Sequence, residues 1–294
     1  MLISKKNLSV IIVSFISEHV IHRCINSIDK EIEIIIVDNS NNQKFKKNIE
    51  EQYKNVKCIL SKDNIGMGAG NNLGIKNTNK DFALILNPDV ILEKNTIDEI
   101  IKASKKLDNF GVLAPISDKQ NYPNYQLYKN SNYKFNQNDP FIVKTIDGYS
   151  MLLNLKRLKS LSNFNFFDEN FFLYLENDDF CKRLRLRKEN IYVVPNSKIH
   201  HLGGGAVNPK YKYKIELVRN WHWMWSKFYF NKKHYGYFNA ILKIFNNLIS
   251  AMIKFFYYSI TFNNSNKRIY QMRMSGLLNS MMGKKSFYRP KLDD

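Results

Sequence analysis

Short apolar runs alternate with helical patterns in the first 90 residues, and this alternation restricts the fold more than any other feature. The runs, rich in isoleucine, valine and leucine, occupy residues 8–15, 32–37, 56–60 and 82–86. Helical spacing of apolar residues predicts a helix over 18–29, and further helices are predicted over 43–52 and 69–77. Wholly apolar runs are typical of strands covered on both faces, so the alternation predicts a parallel, doubly wound α/β sheet.

Polar residues follow the apolar runs directly, where the strands are expected to end. They are Ser14, Asp38, Asn39, 61–64 (SKDN) and 87–89 (NPD). Ligands of such sheets bind beyond the carboxyl ends of the parallel strands, so the pattern predicts a binding site at this edge. Ordinary turn chemistry is the alternative explanation, and it suffices for Asp38 or Asp89 taken singly.

A glycine-rich segment, 64–72 (NIGMGAGNN), leads into the third predicted helix. Backbone N–H groups and the positive end of a helix attract phosphate at such a turn. A dinucleotide fingerprint follows the first strand and has another glycine spacing, so NAD binding is not predicted. Close packing of the helix is an equally good explanation of the glycines.

The middle of the chain continues the pattern less regularly, with a long surface loop predicted over 120–139. Strands are predicted over 142–146, 151–155, 191–194 and 199–201, an aromatic turn over 164–174 and a charged helix over 177–188. If that helix includes Glu176, it shares one face with Asp179 and Arg183. The last two are predicted to form a structural ion pair.

The net charge of +19 is concentrated towards the C-terminus, where residues 205–294 carry 16 Lys and Arg but three acids. This distribution predicts a surface for an anionic partner such as lipid headgroups, nucleic acid or polyphosphate. The alternative is a generally basic proteome. Three widely spaced cysteines argue against a disulfide framework, and no cleavage site follows the run 8–16, so a cytoplasmic protein is expected.

Apolar residues at helical spacing over 239–256 predict an amphipathic helix, which Lys243 and Lys254 interrupt before any uncharged run reaches membrane-span length. It packs on the catalytic domain, joins two subunits of a homodimer, or lies on an anionic membrane surface, which the flanking lysines favour. The tryptophans at 221–225 cover a sugar, enter the membrane interface or pack in the core.

Six segments occur in the order found in the inverting family 2 glycosyltransferases. They are 37–40 (VDNS), 64–74 (NIGMGAGNNLG), 86–89 (LNPD), 147–153 (DGYSMLL), 167–183 (FDENFFLYLENDDFCKR) and 201–205 (HLGGG). Over residues 8–235 the chain resembles this family, and within it the rhamnosyltransferase-like branch of bacterial surface-polysaccharide enzymes. The resemblance implies a GT-A fold, Rossmann-like with a mostly parallel sheet, as the catalytic domain over 1–235. Residues 236–294 would form a helical basic extension.

The resemblance also implies a UDP- or dTDP-sugar donor. Asp38 would bind the base, and Asp89 with His201 would bind Mg²⁺ or Mn²⁺ on the diphosphate. Asn87 stands where the family motif often has its first aspartate, and Ala206 where a serine often follows the glycines. The expected donor-binding residues are Ser14, Asp38, Asn64, Gly66, Asn71, Asn87 and Gly148.

Inverting transfer needs a base for the acceptor hydroxyl and positive charge near the departing diphosphate. The family's base usually follows the glutamate directly, but Asn177 occupies that position and accepts no proton. Pairing with Arg183 lowers the basicity of Asp179. Glu176 and Asp178 therefore stand as two candidates for the catalytic base.

The predicted function is sugar transfer to a free or lipid-linked surface glycan, such as lipopolysaccharide or capsule, at the inner face of the cell membrane. A sugar-phosphate nucleotidyltransferase is an alternative, but residues 15–18 lack the glycine loop it would need after the first strand. A nucleic-acid-binding protein using residues 211–235 is another. It leaves the acidic crevice unexplained, so no nucleic-acid partner is expected.

Overall fold

A computed structural model describes residues 2–118, 122–128 and 138–290, so most of the loop predicted over 120–139 lies outside the described residues. The chain divides into two compact units. The first comprises Met1–Asp168 and Asn177–Asn208, and the second Glu169–Glu176 and Pro209–Asp294.

Within the described residues, the first unit contains a nine-stranded sheet, a two-stranded sheet and six α-helices. Its strands are β1 (Leu8–Ser14), β2 (Glu33–Asp38), β3 (Val56–Leu60), β4 (Phe82–Leu86), β5 (Val90–Leu92), β6 (Val112–Ser117), β7 (Tyr125–Gln126), β8 (Phe141–Ile142), β9 (Thr145–Ile146), β10 (Ser150–Asn154) and β11 (Ile191–His201). Its helices are α1 (Glu18–Asn26), α2 (Gln43–Gln52), α3 (Gly66–Lys76), α4 (Thr96–Ser104), α5 (Leu155–Ser160) and α6 (Glu176–Leu186), whose first residue is grouped with the second unit.

The main sheet has the order β3-β2-β1-β4-β10-β6-β11-β5, with β8 also paired to β11. Strands β1 to β4 pair in parallel, as predicted, whereas β10 runs antiparallel between β4 and β6. The separate strands predicted over 191–194 and 199–201 form the single strand β11, whose register shifts between Val194 and Lys198. The run 142–146 is divided between β8 and β9.

The sheet is covered on both faces by apolar clusters. Successive residues of β1 alternate between them: Val10 and Ile12 belong to one cluster and Ile11 to the other. Helix α3 packs very closely on this strand, because a Cβ added at Gly74 would lie 2.3 Å from Ile11 Cγ2. Close packing therefore accounts for Gly74, one of the two explanations considered for the glycine-rich segment.

The second unit contains three long helices, α7 (Lys212–Tyr235), α8 (Tyr237–Ile260) and α9 (Asn264–Met281). Met224 and Phe228 of α7, Ala240 and Ile244 of α8 and Leu277 of α9 share one core. The second compact unit accordingly includes α7, because this helix packs with the helices that follow it. A hydrogen bond of 2.8 Å from Ser226 Oγ to Leu173 O joins residues 169–176 to the same unit.

Two of the three tryptophans lie in the core of this unit. Trp221 and Trp225 are buried, whereas Trp223 is partly exposed and contacts Tyr174 edge-on, with ring centroids 5.4 Å apart. Helix α8 extends beyond the predicted 239–256. By length and composition it is apolar enough to cross a membrane, and Lys243 and Lys254 divide it into uncharged runs shorter than a membrane span.

Candidate active site

The ends of β1, β2 and β3 meet at one edge of the sheet. Ser14 lies opposite Asp38 in the parallel register, and Asp38 lies opposite Leu60. Just beyond the strands, the Asn39 amide donates to Ser14 O over 2.8 Å, and the Ser61 amide donates to Asp38 O over 2.9 Å. The polar segments singled out in the sequence therefore follow the strands at a common edge.

The buried carboxylate of Asp38 is held by its own turn. Ser40 Oγ lies 2.8 Å from both carboxylate oxygens, and the Asn42 amide donates to Oδ2 over 2.9 Å. Asn42 in turn caps α2 by accepting from the Phe45 amide. Turn chemistry is thus present at Asp38, and a contact with a nucleotide base would use the remaining lone pairs.

Helix α3 begins at Gly66, three residues before its predicted start. The Gly66 amide donates to Asn64 Oδ1 over 3.1 Å, and its carbonyl accepts from Asn39 Nδ2 over 3.2 Å. Its φ of 85° lies in the left-handed region that favours glycine. Because the Gly66 amide already has a partner, a phosphate contact at this helix would involve later amides of the first turn.

Four buried amide and carboxylate oxygens around this edge have no hydrogen-bond donor in the described part of the chain: Asn39 Oδ1, Asn71 Oδ1, Asn87 Oδ1 and Asp89 Oδ1. Leaving a buried polar atom without a partner costs about 1–3 kcal/mol, so such atoms require an explanation. Asn72, adjacent to Asn71, instead exchanges two hydrogen bonds with the Phe167 backbone. The unpartnered set is therefore suited to a ligand rich in hydroxyl groups or cationic charge.

Asp89 is fixed by the backbone of the glycine motif. Its Oδ2 accepts from the Gly205 amide over 3.2 Å, and its carbonyl accepts from the Leu202 amide over 3.1 Å. Antiparallel pairing of β5 with β11 places His201 opposite Val90, and His201 Nε2 lies 3.5 Å from Asp89 Oδ1. The two predicted metal ligands are therefore neighbours.

The adjacent histidines face different surroundings. The ring of His201 stacks on Tyr149, with centroids 3.9 Å apart. His200 is exposed, with Nδ1 2.9 Å from Asp118 Oδ2 and Nε2 3.4 Å from Glu93 Oε1. His200 therefore contacts two carboxylates at the surface.

Two further carboxylates of the first unit are Asp178 and Asp147, and Asp147 interacts electrostatically with both Asp178 and His201. Burial raises the pKa of Asp178, whose Oδ1 accepts from Thr145 Oγ1 over 3.2 Å. Burial also raises the pKa of Asp147; the charge of Asp178 adds to this shift and that of His201 opposes it. Sequence reasoning left Asp147 out of the site residues, although it begins the segment 147–153.

Asn177, at the position of the usual family base, is committed to a structural contact. Its Nδ2 donates to Ile146 O over 2.8 Å. A Cβ added at Gly148 would lie 3.2 Å from Asn177 Cβ, so this glycine allows α6 to approach. The predicted donor contact of Gly148 therefore has a packing alternative.

Glu176, the other base candidate, is buried at the start of α6 and belongs to the second unit. Tyr174 and Leu175, directly before it, have φ values of 70° and 65°. Residues other than glycine occupy this region at a cost of about 1–3 kcal/mol, and such strain is frequent at functional sites. Burial raises the pKa of Tyr174, and the charge of Glu176 adds to that shift.

The comparisons with known proteins identify the family. The model of glycosyl transferase family 2 matches residues 9–192, well over half of the chain. The chain belongs to glycosyl transferase family 2. This family 2 chain is 27% identical over 203 residues to the low-salt glycan biosynthesis hexosyltransferase Agl10 of Haloferax volcanii. The match covers 64% of each protein, so it spans less than two thirds of that relative's length.

Solved structures share the fold of this family 2 chain. GalNAc-T7 with UDP, GalNAc and Mn²⁺ has a TM-score of 0.56 at 15% identity, covering 77% of this chain and 51% of that one. The mannosyltransferase PcManGT from Pyrobaculum calidifontis, with GDP-Man and Mn²⁺, has a TM-score of 0.55 at 9% identity, covering 95% and 88%. These likenesses confirm the predicted GT-A fold with its C-terminal helical region.

The predicted pair of Asp179 and Arg183 lies inside the family 2 domain. Asp179 is fully buried, and its Oδ2 lies 2.7 Å from Arg183 Nε. The guanidinium also donates to the carbonyls of Asn165 and Phe166. The pair therefore joins α6 to the segment before Phe167.

Replacing Arg183 with methionine is expected to lower the free energy of unfolding by about 3–5 kcal/mol, because it removes the guanidinium that pairs with the fully buried Asp179 carboxylate. Urea denaturation measures this loss. Arg185→Met, on the same helix, removes an exposed guanidinium that donates to Lys144 O, and is expected to cost far less. Equal losses in the two variants would contradict a special role of the buried pair.

Proposed function

We propose that this chain transfers a sugar from a nucleotide-diphosphate sugar to a hydroxyl group of a glycan, with inversion at the anomeric carbon. The observation that carries the proposal is the set of four buried amide and carboxylate oxygens at the carboxyl edge of the sheet, Asp89 Oδ1 among them, that have no hydrogen-bond donor in the described residues. A nucleotide sugar supplies what they lack, because its ribose and sugar hydroxyls donate hydrogen bonds. Family membership supports this chemistry.

A UDP- or dTDP-sugar is the proposed donor, with Asp38 directed at the base. Ser14, Asn64, Gly66 and Gly148 complete the proposed donor contacts. Asn39 was not among the predicted donor residues, but its unpartnered Oδ1 adds it to them. A signal for it existed in the sequence, since it directly follows Asp38 at the end of the same strand.

Asp89 and His201 fit a divalent cation, Mg²⁺ or Mn²⁺. Magnesium is commonly held by one or two carboxylates and completes its shell with substrate phosphates and water. No group of three or more metal-binding side chains occurs in the described ranges. When bound, the cation would neutralise charge on the departing diphosphate. Asp89 Oδ1 would bind it, and the Gly205 amide holds the other oxygen in place.

A carboxylate removes the acceptor proton as the new bond forms. Two are proposed, Asp178 and Glu176. The raised pKa of Asp178 suits a base that takes a proton from a hydroxyl group, and its contact with Thr145 orients the carboxylate. Glu176 is supported by the strained turn that precedes it.

The proposed acceptor is a surface glycan, such as lipopolysaccharide or capsule, free or attached to a lipid carrier. Agl10 is named for the biosynthesis of a glycan, which is consistent with this class of acceptor. A cytoplasmic location at the inner face of the cell membrane is proposed with it, because lipid-linked acceptors are reached at that surface.

Donor binding tests the proposal directly. A panel of UDP-, dTDP- and GDP-sugars is titrated calorimetrically into the full chain, with and without Mn²⁺, and released nucleotide is then measured. We expect one donor to bind in a metal-dependent manner. Absence of binding by every donor to protein shown by circular dichroism to be folded would refute the function.

A further inference from the structure

Helix α8 is apolar on two opposite sides. Its inner side packs in the core of the second unit through Ala240, Ile244 and Ala251, which are buried. Its outer side is exposed along the whole helix and carries nine large apolar side chains. They are Phe238, Leu242, Phe245, Ile249, Met252, Ile253, Phe256, Tyr257 and Ile260. We call these nine residues the outer face of α8.

The outer face runs along the whole helix, with the exposed polar side chain of Asn246 within it. Its residues recur at intervals of three and four, the spacing that aligns side chains along one side of a helix. The helix has 24 residues and is therefore about 36 Å long. Exposure is high near both ends, with 83% for Phe238 and 77% for Ile260. An apolar surface of this length marks an interaction site rather than scattered surface residues.

The chain segment that contains the outer face carries only positive charge. Residues 217–292 contain 13 Lys and Arg and neither Asp nor Glu. Lys243 and Lys254 lie along one flank of the outer face, because they follow Leu242 and Ile253 by one position each. Their ammonium groups approach aromatic rings, Lys243 that of Tyr235 at 4.7 Å and Lys254 that of Tyr270 at 5.4 Å.

We propose that the outer face of α8 lies in the interface of an anionic phospholipid bilayer, with the helix parallel to the membrane. The apolar side chains enter the boundary between headgroups and acyl chains, and the flanking lysines contact lipid phosphate. This surface belongs to the second unit, and the inference does not depend on sugar transfer.

Two other occupants fit these observations less well. A second copy seated on the same face would bring together two α8 helices whose surrounding segment, residues 217–292, contains Lys and Arg but no Asp or Glu. Insertion of α8 across the bilayer is opposed by its inner side, which shares a core with Met224, Phe228 and Leu277 of helices that carry lysine and arginine. A bilayer surface satisfies both the apolar side chains and the charge.

Vesicle flotation tests the proposal with the full chain. We expect flotation with phosphatidylcholine vesicles containing phosphatidylglycerol, weaker flotation with phosphatidylcholine alone, and a decrease of about tenfold or more in binding for Leu242→Gln/Ile253→Gln, since two apolar anchors are lost. The matched control is Asn246→Gln/Ser250→Gln, which changes exposed polar positions of the same helix and is expected to float like the wild type. Donor binding is expected to be unchanged in both variants.

A second measurement uses single surface substitutions that leave the apolar anchors otherwise intact. Phe256→Cys and Ser250→Cys are labelled with an environment-sensitive dye, the native cysteines being buried. We expect a blue shift on anionic vesicles that is larger at position 256. Unchanged flotation of the apolar variant, or absence of flotation by the wild type, would overturn the proposal. Dimerisation in sedimentation experiments that Leu242→Gln/Ile253→Gln abolishes, without vesicle binding, would identify the face as a subunit contact instead.

Discussion

Asp89→Asn is expected to lower kcat/KM for sugar transfer by about 10²–10³-fold or more, because it removes the negative charge proposed to hold the cation at the donor diphosphate. Asparagine has nearly the same shape, and its side-chain oxygen still accepts from the Gly205 amide, which donates to Asp89 Oδ2 in the structure. The fold is therefore expected to survive the change. Transfer assays at varied Mn²⁺ concentration measure the effect.

The dependence on Mn²⁺ separates a metal role from a purely structural one. If Asp89 binds the cation, the concentration of Mn²⁺ needed for half-maximal donor binding rises in Asp89→Asn, while the melting temperature changes little. The matched control is Asp118→Asn, which removes an exposed carboxylate paired with His200. It is expected to retain wild-type activity and Mn²⁺ dependence. Unaltered Mn²⁺ dependence in Asp89→Asn would contradict the proposed role.

The first four strands were predictable because each is a wholly apolar run that ends in turn residues. The strands β5 and β6 were not predicted. Strand β5 has only three residues and follows Asn-Pro-Asp without a gap, whereas β6 contains Pro115, a residue that argues against a strand. Their positions are set by pairing with β11, which is a contact between distant parts of the chain.

The sequence predicts where the site lies on the sheet but not the hydrogen bonds that its side chains make. That Asp38 and Asp89 each follow a strand of one parallel sheet is visible in the sequence, and parallel strands end at one edge. The hydrogen bonds that Ser40 and Asn42 donate to the Asp38 carboxylate depend on the fold of the turn and are not visible in the sequence. The place of Asp147 near Asp178 and His201 likewise depends on tertiary packing, since the three residues come from different elements.

In the C-terminal helices too, the sequence predicts the elements but not their tertiary contacts. Amphipathic spacing predicted α8, but the sequence did not distinguish its packed side from its exposed side, because both are apolar. Only the fold of the second unit separates Ile244, which is buried, from Phe245, which is exposed. One side of α8 therefore packs in the core, and the opposite side is left for another partner.

Asp178→Asn is expected to lower kcat by about 10²–10⁴-fold with little change in donor binding, the loss typical of removing a general base. The asparagine keeps an oxygen for the Thr145 hydroxyl but accepts no proton. Glu176→Gln is the parallel variant, and a large loss there with near-normal kcat in Asp178→Asn would assign the base to Glu176 instead.

The pH profile supplies the decisive readout for Asp178. A base works when it is deprotonated, so activity falls as the pH drops through its pKa, and the raised pKa of Asp178 places this fall at higher pH than for an exposed aspartate. The Thr145 hydrogen bond favours the charged carboxylate and lowers that pKa. In Thr145→Val the pKa therefore rises, and the acidic limb of kcat is expected to move to higher pH while the plateau at high pH is largely retained. If Glu176 were the base, Thr145→Val would leave the position of the limb unchanged, because the titration it reports would belong to a different carboxylate.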